Sequence, residues 1–316
     1  MAPGLLPLDP AMYQKTIRKP VSVNGIGLHS GKPVSVTIGP APPNSGIVFH
    51  IAGHVEPIHA APESVVDSHY ATTVGRNGTR VQTVEHLLAA AAGLGIDNLD
   101  VAVDGTEIPA VDGSAKPFVA LLTAAGRAAQ SAPRRHIVIP HPIRVGTGGR
   151  WIHIVPSDTF RISYTLDHDH PAIGTLTLSC APSERMFVED FAPARTYGFL
   201  KDLGRMRREG LARGGSLENA IVLGERGVLN GLRYRDEFVR HKILDLIGDL
   251  ALLGRPIVGH VIARNGGHDL NFQLVLEIQR ALGLERRPAG MPSPALAHQQ
   301  ATRVNGALLP APSLAI

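Results

Sequence analysis

Apolar and polar positions alternate over residues 16–23 and 32–39 around a glycine-containing turn, a pattern that predicts a two-stranded hairpin. A stretch rich in Pro, His and Gly follows to about Gly78 and predicts loops and short strands. The period then changes. Residues 83–94 read as an apolar helix with Thr83 at its N-cap and Gly93 and Gly95 at its end. Residues 98–103 read as a strand, and 116–125 as a second helix with Pro117 in its first turn. Residues 128–135, polar and proline-bearing, are expected to link two domains.

Strand patterns recur at 137–145, 151–155, 160–166 and 175–179, followed by a long helix at 236–253, a strand at 257–263 and a closing helix at 269–282. Strands, helix, strand and helix thus occur twice without a repeat of residue identities. The expectation is an α+β fold of two similar domains, each a small β-sheet packed on two helices. Their bounds are 1–127 and 136–285, with 286–316, rich in Pro and Ala, left as a disordered tail.

A chain of 316 residues exceeds the usual size of one hydrophobic core, in keeping with two domains. With 44% apolar and 18% charged residues the composition is that of a globular protein. No apolar run approaches the roughly 20 residues that cross a bilayer, and prolines interrupt the N-terminus where a signal peptide would lie. One cysteine, Cys180, suits a reducing compartment, so a cytoplasmic protein without a membrane span is expected. The net charge of +4 favours anionic partners. Aromatics at 4%, not interleaved with basic residues, argue against nucleic acid.

In the 236–253 helix, Val239, Ile243, Leu246, Ile247 and Leu250 share one face, while His241, Asp245 and Asp249, four residues apart, form a stripe directed away from the core. Residues at i and i+4 bring their Cβ atoms to about 5–6 Å, close enough for an imidazole and a carboxylate to share a metal. The same spacing occurs on many solvated helix faces. A third ligand is needed, and His86 lies on the corresponding helix of the other domain. Were the two domains to pack face to face, His86, His241 and Asp245 would hold zinc in the interdomain cleft and leave a position open to water. Glu85, beside one ligand, is placed to take that water's proton. Two further groups, His50/His54/Glu56/His59 and His168/Asp169/His170, could bind metal on donor count, although loop histidines are usually solvated. Asp112-Gly113-Ser114 reads as a helix-capping turn.

Several phrases at consistent spacing carry a resemblance. They are Gly25-Ile26-Gly27-Leu28-His29-Ser30-Gly31, Thr83-Val84-Glu85-His86-Leu87, Ile108-Pro109-Ala110-Val111-Asp112-Gly113-Ser114, Arg195-Thr196-Tyr197-Gly198-Phe199, Phe238-Val239-Arg240-His241-Lys242-Ile243-Leu244-Asp245 and Gly267-His268. Over residues 16–282 the chain resembles the UDP-3-O-acyl-N-acetylglucosamine deacetylase family.

The resemblance implies a cytoplasmic, monomeric, zinc-dependent amidohydrolase that releases acetate from UDP-3-O-(3-hydroxyacyl)-N-acetylglucosamine, the committed step of lipid A biosynthesis. It carries Zn2+, with Fe2+ as the alternative metal in the cell, onto His86, His241 and Asp245, and the general base onto Glu85. Thr196 would hold the oxyanion, and His268, oriented by Asp249, would protonate the leaving nitrogen. Lys242 and Tyr197 would contact substrate. Phe199, Leu200 and Leu203, in an insert near 196–222, would enclose its acyl chain, although they could equally be helix core. His168 stands where the family often has an aromatic against the uracil. His29 lies near the active site without being a ligand. Arg205, Arg207 and Arg208 read as a solvated charge run or as contacts to anionic lipid, with transient contact to the inner-membrane surface. Two other functions fit the same residues: a zinc amidase for another N-acetylated sugar nucleotide or glycolipid, and a non-catalytic metal-binding protein of this fold.

Overall fold

Short alternating strands and two pairs of helices account for nearly all of the regular structure in the computed structural model, which describes residues 12–284. In chain order the first elements are β1 (Tyr13–Ile17), β2 (Val21–Ile26), β3 (Pro33–Pro40), β4 (Ile47–Ile51), β5 (Ile58–His59), β6 (Val65–Asp67), β7 (Thr73–Arg76), β8 (Thr79–Val81), α1 (Glu85–Gly93), β9 (Leu99–Asp104) and α2 (Lys116–Ala125). There follow β10 (Arg127–Pro133), β11 (Ile137–Val138), β12 (Ile143–Thr147), β13 (Arg150–Val155), β14 (Phe160–His168), β15 (Gly174–Cys180), α3 (Glu184–Met186), β16 (Tyr197–Phe199), α4 (Leu200–Arg208), β17 (Ile221–Leu223), α5 (Glu237–Leu250), β18 (Ile257–Arg264) and α6 (His268–Leu282).

The two main sheets repeat one topology. The first has the order β2-β3-β9-β4-β5 and the second β12-β13-β18-β14-β15, with β11 added on β18. In each, a hairpin pairs antiparallel with a strand that arrives later in the chain, and that strand runs parallel to the first strand of a second hairpin. The late strand of each sheet follows a buried helix, α1 before β9 and α5 before β18. The expected α+β fold of two similar domains, each a small sheet with two helices, is therefore what the chain adopts.

Inward side chains on the alternating strands form the cores. Val36 and Ile38 of β3 lie opposite Val103 and Val101 of β9, and all four are fully buried. Ile162 and Tyr164 of β14 face Val261 and Ala263 of β18 in the same way. Helices α1 and α5 pack against each other. Ala89, Ala90 and Ala91 keep α1 slim, and it is buried from Glu85 to Ala91; α5 presents Gly248 to it. A Cβ on Gly248 would lie 2.1 Å from the backbone oxygen of Glu85, so this approach needs glycine.

Four local expectations change. The first hairpin is β2–β3, because the run 16–23 breaks at Arg18–Pro20 and leaves β1 separate. Most of the segment expected as a linker is strand β10, antiparallel to β1; small side chains hid its alternation. Thr83 is not the N-cap of α1. Its φ of 60° puts it in the left-handed region, Val84 holds the cap position, and the Thr83 hydroxyl donates to Glu107. Finally, the His241/Asp245/Asp249 stripe does not face away from the core, because α1 covers it and all three residues are 1–2% exposed. The expected tail lies outside the described residues. Among those residues no helix is long and apolar enough to cross a membrane.

Candidate metal centre and catalytic site

α1 brings His86, and α5 brings His241 and Asp245, to one buried point where their donor atoms all lie within 4.8 Å of one another. Nε2 of His241 is 3.3 Å and Nε2 of His86 is 3.7 Å from Asp245 Oδ1. The imidazoles meet edge to face at 5.1 Å between centroids. Among the described residues, no other set of three His, Cys, Asp or Glu donors converges in this way.

Hydrogen bonds orient these donors. Nδ1 of His241 donates to the carbonyl of Ala194 at 3.1 Å, which leaves the Nε2 lone pair directed at Asp245. The ammonium of Lys242 donates to Asp245 Oδ2 at 2.7 Å. Asp245 Oδ1 is buried and has no hydrogen-bond partner. A buried carboxylate oxygen left unpaired is costly, and two imidazole nitrogens facing it are a donor set suited to Zn2+. The residues therefore fit a single divalent metal.

The charge states agree with that reading. Burial lowers the His241 pKa to about 4 and keeps the ring neutral, as a ligand requires. Burial alone would raise Asp245, but His241 and Lys242 outweigh it and hold the carboxyl well below the usual carboxylate range. Against burial, Asp245 raises the pKa of Lys242 and keeps it an ammonium.

Next to this group stand two buried titratable side chains, Glu85 and His268. Glu85, 3% exposed at the first turn of α1, has its pKa raised by burial against the opposing pull of His268 and His86. His268 opens α6, and its Nδ1 donates to Asp249 Oδ2 at 2.8 Å. Its Nε2 lies 3.9 Å from Asp245 Oδ2. Burial would lower the His268 pKa, but Asp249 and Asp245 overcome this and lift it to about 9.

Sequence reasoning missed what ties these groups together. The hydroxyl of Thr72 donates to Asp249 Oδ1 at 2.5 Å, and its backbone N–H donates to Glu85 Oε2 at 3.0 Å. Asn271 Nδ2 donates to Asp249 Oδ2 at 2.8 Å. The strap carrying Ala194 and Thr196 is fixed by the buried pair Arg195 and Glu237, 2.9 Å apart, and by Thr196 N–H donating to Gly113 O at 2.8 Å. Glu107 accepts from the backbone of His29 and Ser30, both at 2.8 Å, and so holds the first glycine-rich turn. Burial lowers the His29 pKa, Glu107 opposing that shift and His268 adding to it.

The remaining candidates divide. Tyr197 packs edge-on against Phe238 and faces the His241 ring. His168 stacks on Phe199 at 4.7 Å, so these two adjoin. Leu200 is 48% exposed and Leu203 half-buried, on an α4 with no buried residue, which rules out the reading of α4 as helix core. Arg205 pairs with Asp202 and Glu209 on that exposed helix, in keeping with a solvated charge run. The other histidine groups make isolated contacts, His50 to Asp100 and His54 to Thr79. Asp112 Oδ1 accepts from the backbone N–H and the hydroxyl of Ser114, a local turn; the N-cap of α2 is Ala115 with no side-chain cap, so this segment does not cap the helix as expected.

These features define a class: a duplicated α+β protein with a buried donor set able to hold one metal ion beside a buried carboxyl and a buried imidazole, Glu85 and His268. Residues 14–280 match the UDP-3-O-acyl N-acetylglycosamine deacetylase (LpxC) family. The chain is 50% identical over 276 residues to the UDP-3-O-acyl-N-acetylglucosamine deacetylase of Myxococcus xanthus (strain DK1622), a match covering 86% of this chain and 88% of that protein. To the deacetylases of the same name from Syntrophotalea carbinolica and Oleidesulfovibrio alaskensis it is 45% identical over 271 residues and 46% over 302. These matches cover 84% and 89% of this chain, and 88% and 99% of those proteins. The chain belongs to this deacetylase family.

Proposed function

We propose that the protein hydrolyses the 2-acetamido group of UDP-3-O-(3-hydroxyacyl)-N-acetylglucosamine to a free amine and acetate, in the cytoplasm, as the committed step of lipid A biosynthesis. One Zn2+ ion held by His86, His241 and Asp245 is its cofactor, with Fe2+ as the alternative metal in the cell. The observation that carries this reading is the unpaired, buried Asp245 Oδ1 facing two imidazole nitrogens beside Glu85 and His268.

When bound, the metal supplies Lewis acidity and lowers the pKa of water to about 7. Glu85 takes the proton of the water that attacks the acetyl carbonyl, and its raised pKa makes it a stronger base than an exposed carboxylate. The hydroxyl of Thr196, on the strap that also carries the Ala194 carbonyl, donates to the developing oxyanion. Protonated His268 gives a proton to the departing nitrogen, while Asp249 holds its ring and favours the charged form. Lys242 keeps Asp245 ionised and presents its charge to the sugar nucleotide.

Tyr197 lines the reacting end, and His168, stacked on Phe199, takes the uridine side. Half-buried and exposed apolar groups at Phe199, Leu200 and Leu203 receive the acyl chain. The enzyme works as a monomer and touches the inner-membrane surface only transiently.

The test is detection of acetate by mass spectrometry from the acylated sugar nucleotide, with and without a chelator. Release that stops with chelator and returns with Zn2+ supports the reading. Equal turnover of a sugar nucleotide lacking the 3-O-acyl chain would refute the substrate.

A further inference from the structure

A cavity of about 200 Å3 lies away from the metal centre at the C-terminal ends of α1 and α5. Ala92 lies six residues beyond His86 and Leu250 five beyond Asp245, roughly 9 Å and 7.5 Å along the respective helix axes. The walls are apolar: Ala92 and Ile96 from the end of α1, Ile247 and Leu250 from α5, Phe160 from the start of β14, and Phe187.

Helix C-termini repel anions when their carbonyls are free, but here the ends are already satisfied. Leu94 O accepts from Arg127 at 2.8 Å, Ala91 O accepts from Ile96 N–H at 2.9 Å, and Ala251 O accepts from Gly254 N–H at 2.9 Å. The charged groups at the rim are also matched, with one exception. Arg134 pairs with Asp97 at 2.7 Å and Glu184 with Arg127 at 2.6 Å. Arg255, exposed at the mouth, has no ion-pair partner among the described residues.

An apolar cavity with one unmatched cation at its mouth selects a ligand with an apolar body and a single negative end. We infer that this cavity binds an amphiphile of the medium-chain fatty acid class, its chain against Ile96, Ile247 and Leu250 and its carboxylate on Arg255. The site is independent of the acetamide chemistry, and its ligand touches both metal-bearing helices at once.

Titration calorimetry of the full-length protein with hexanoate, octanoate and decanoate tests this. Each added methylene should tighten binding about fourfold until the cavity is filled, and Ala92→Trp should abolish it. Arg255→Glu, an exposed change that leaves the fold intact, should weaken decanoate about tenfold and leave the neutral probe decanol unchanged. Binding that ignores chain length, equal decanoate affinity in Arg255→Glu, or no binding by the full-length protein below the micelle point would overturn the proposal.

Discussion

The two halves share a strand order and a pair of helices, but they supply different chemistry. From the first half α1 contributes one imidazole and one buried carboxyl, His86 and Glu85, and the neighbouring segment contributes Thr72. From the second, α5 contributes His241, Asp245 and Asp249, and α6 contributes His268. Of the three donors that converge, His86 comes from the first half and His241 and Asp245 from the second, so a metal held by all three would join the halves. The duplicated scaffold makes this possible because equivalent helices face one another, and the slim surface of α1 against Gly248 brings them close enough.

The largest expected effect comes from removing the base proposed in the first half. Glu85→Gln should lower turnover by about 10²–10⁴-fold while elemental analysis still finds stoichiometric zinc, whereas unaltered turnover would remove Glu85 from the mechanism. His86→Ala and Asp245→Ala take one donor from each half, and both should lose bound metal; full occupancy in either would break the claim that the halves share the ion.

The pH profile separates the two contributions. Glu85 must be ionised, so kcat/KM should rise as pH climbs through a pKa displaced above the ordinary glutamate value. His268 must be protonated, so kcat/KM should fall as pH rises through about 9. His268→Gln should remove the alkaline limb and leave the acid one; a limb that persists belongs to another group.

Thr72 bridges the halves by bonding to Glu85 and Asp249 together. Thr72→Val should reduce kcat by about 10–100-fold with KM little changed, and Thr72→Ser should restore it; equal loss in both variants would mean that the hydroxyl has no part. Last, Gly248→Ala should cost about 1–3 kcal/mol of stability by forcing α5 off α1. Denaturant unfolding would measure it, and an unchanged midpoint would show that the helix approach has slack.

Much of this was legible in the chain because it is local. The i, i+4 spacing of His241 and Asp245 places them on one side of a helix whatever that helix packs against. The two helix–strand–helix series and the adjacency of Glu85 to His86 also follow from period and order alone. What sequence left open was contact across distance. Whether the His241/Asp245/Asp249 stripe met water or α1 depended on a partner helix far away in sequence, and a polar stripe looks the same in either case.

Thr72, Asn271 and the Ala194 carbonyl carry no signal of their own. They matter because chain segments remote from one another close on the same point, where burial removes water and leaves each polar atom to find a protein partner. The same burial makes His241 neutral and lifts Glu85, so the protonation states belong to the tertiary structure. Residue types and their spacing along each helix determined which groups were available; only the packing of α1 on α5 decided that they share one site.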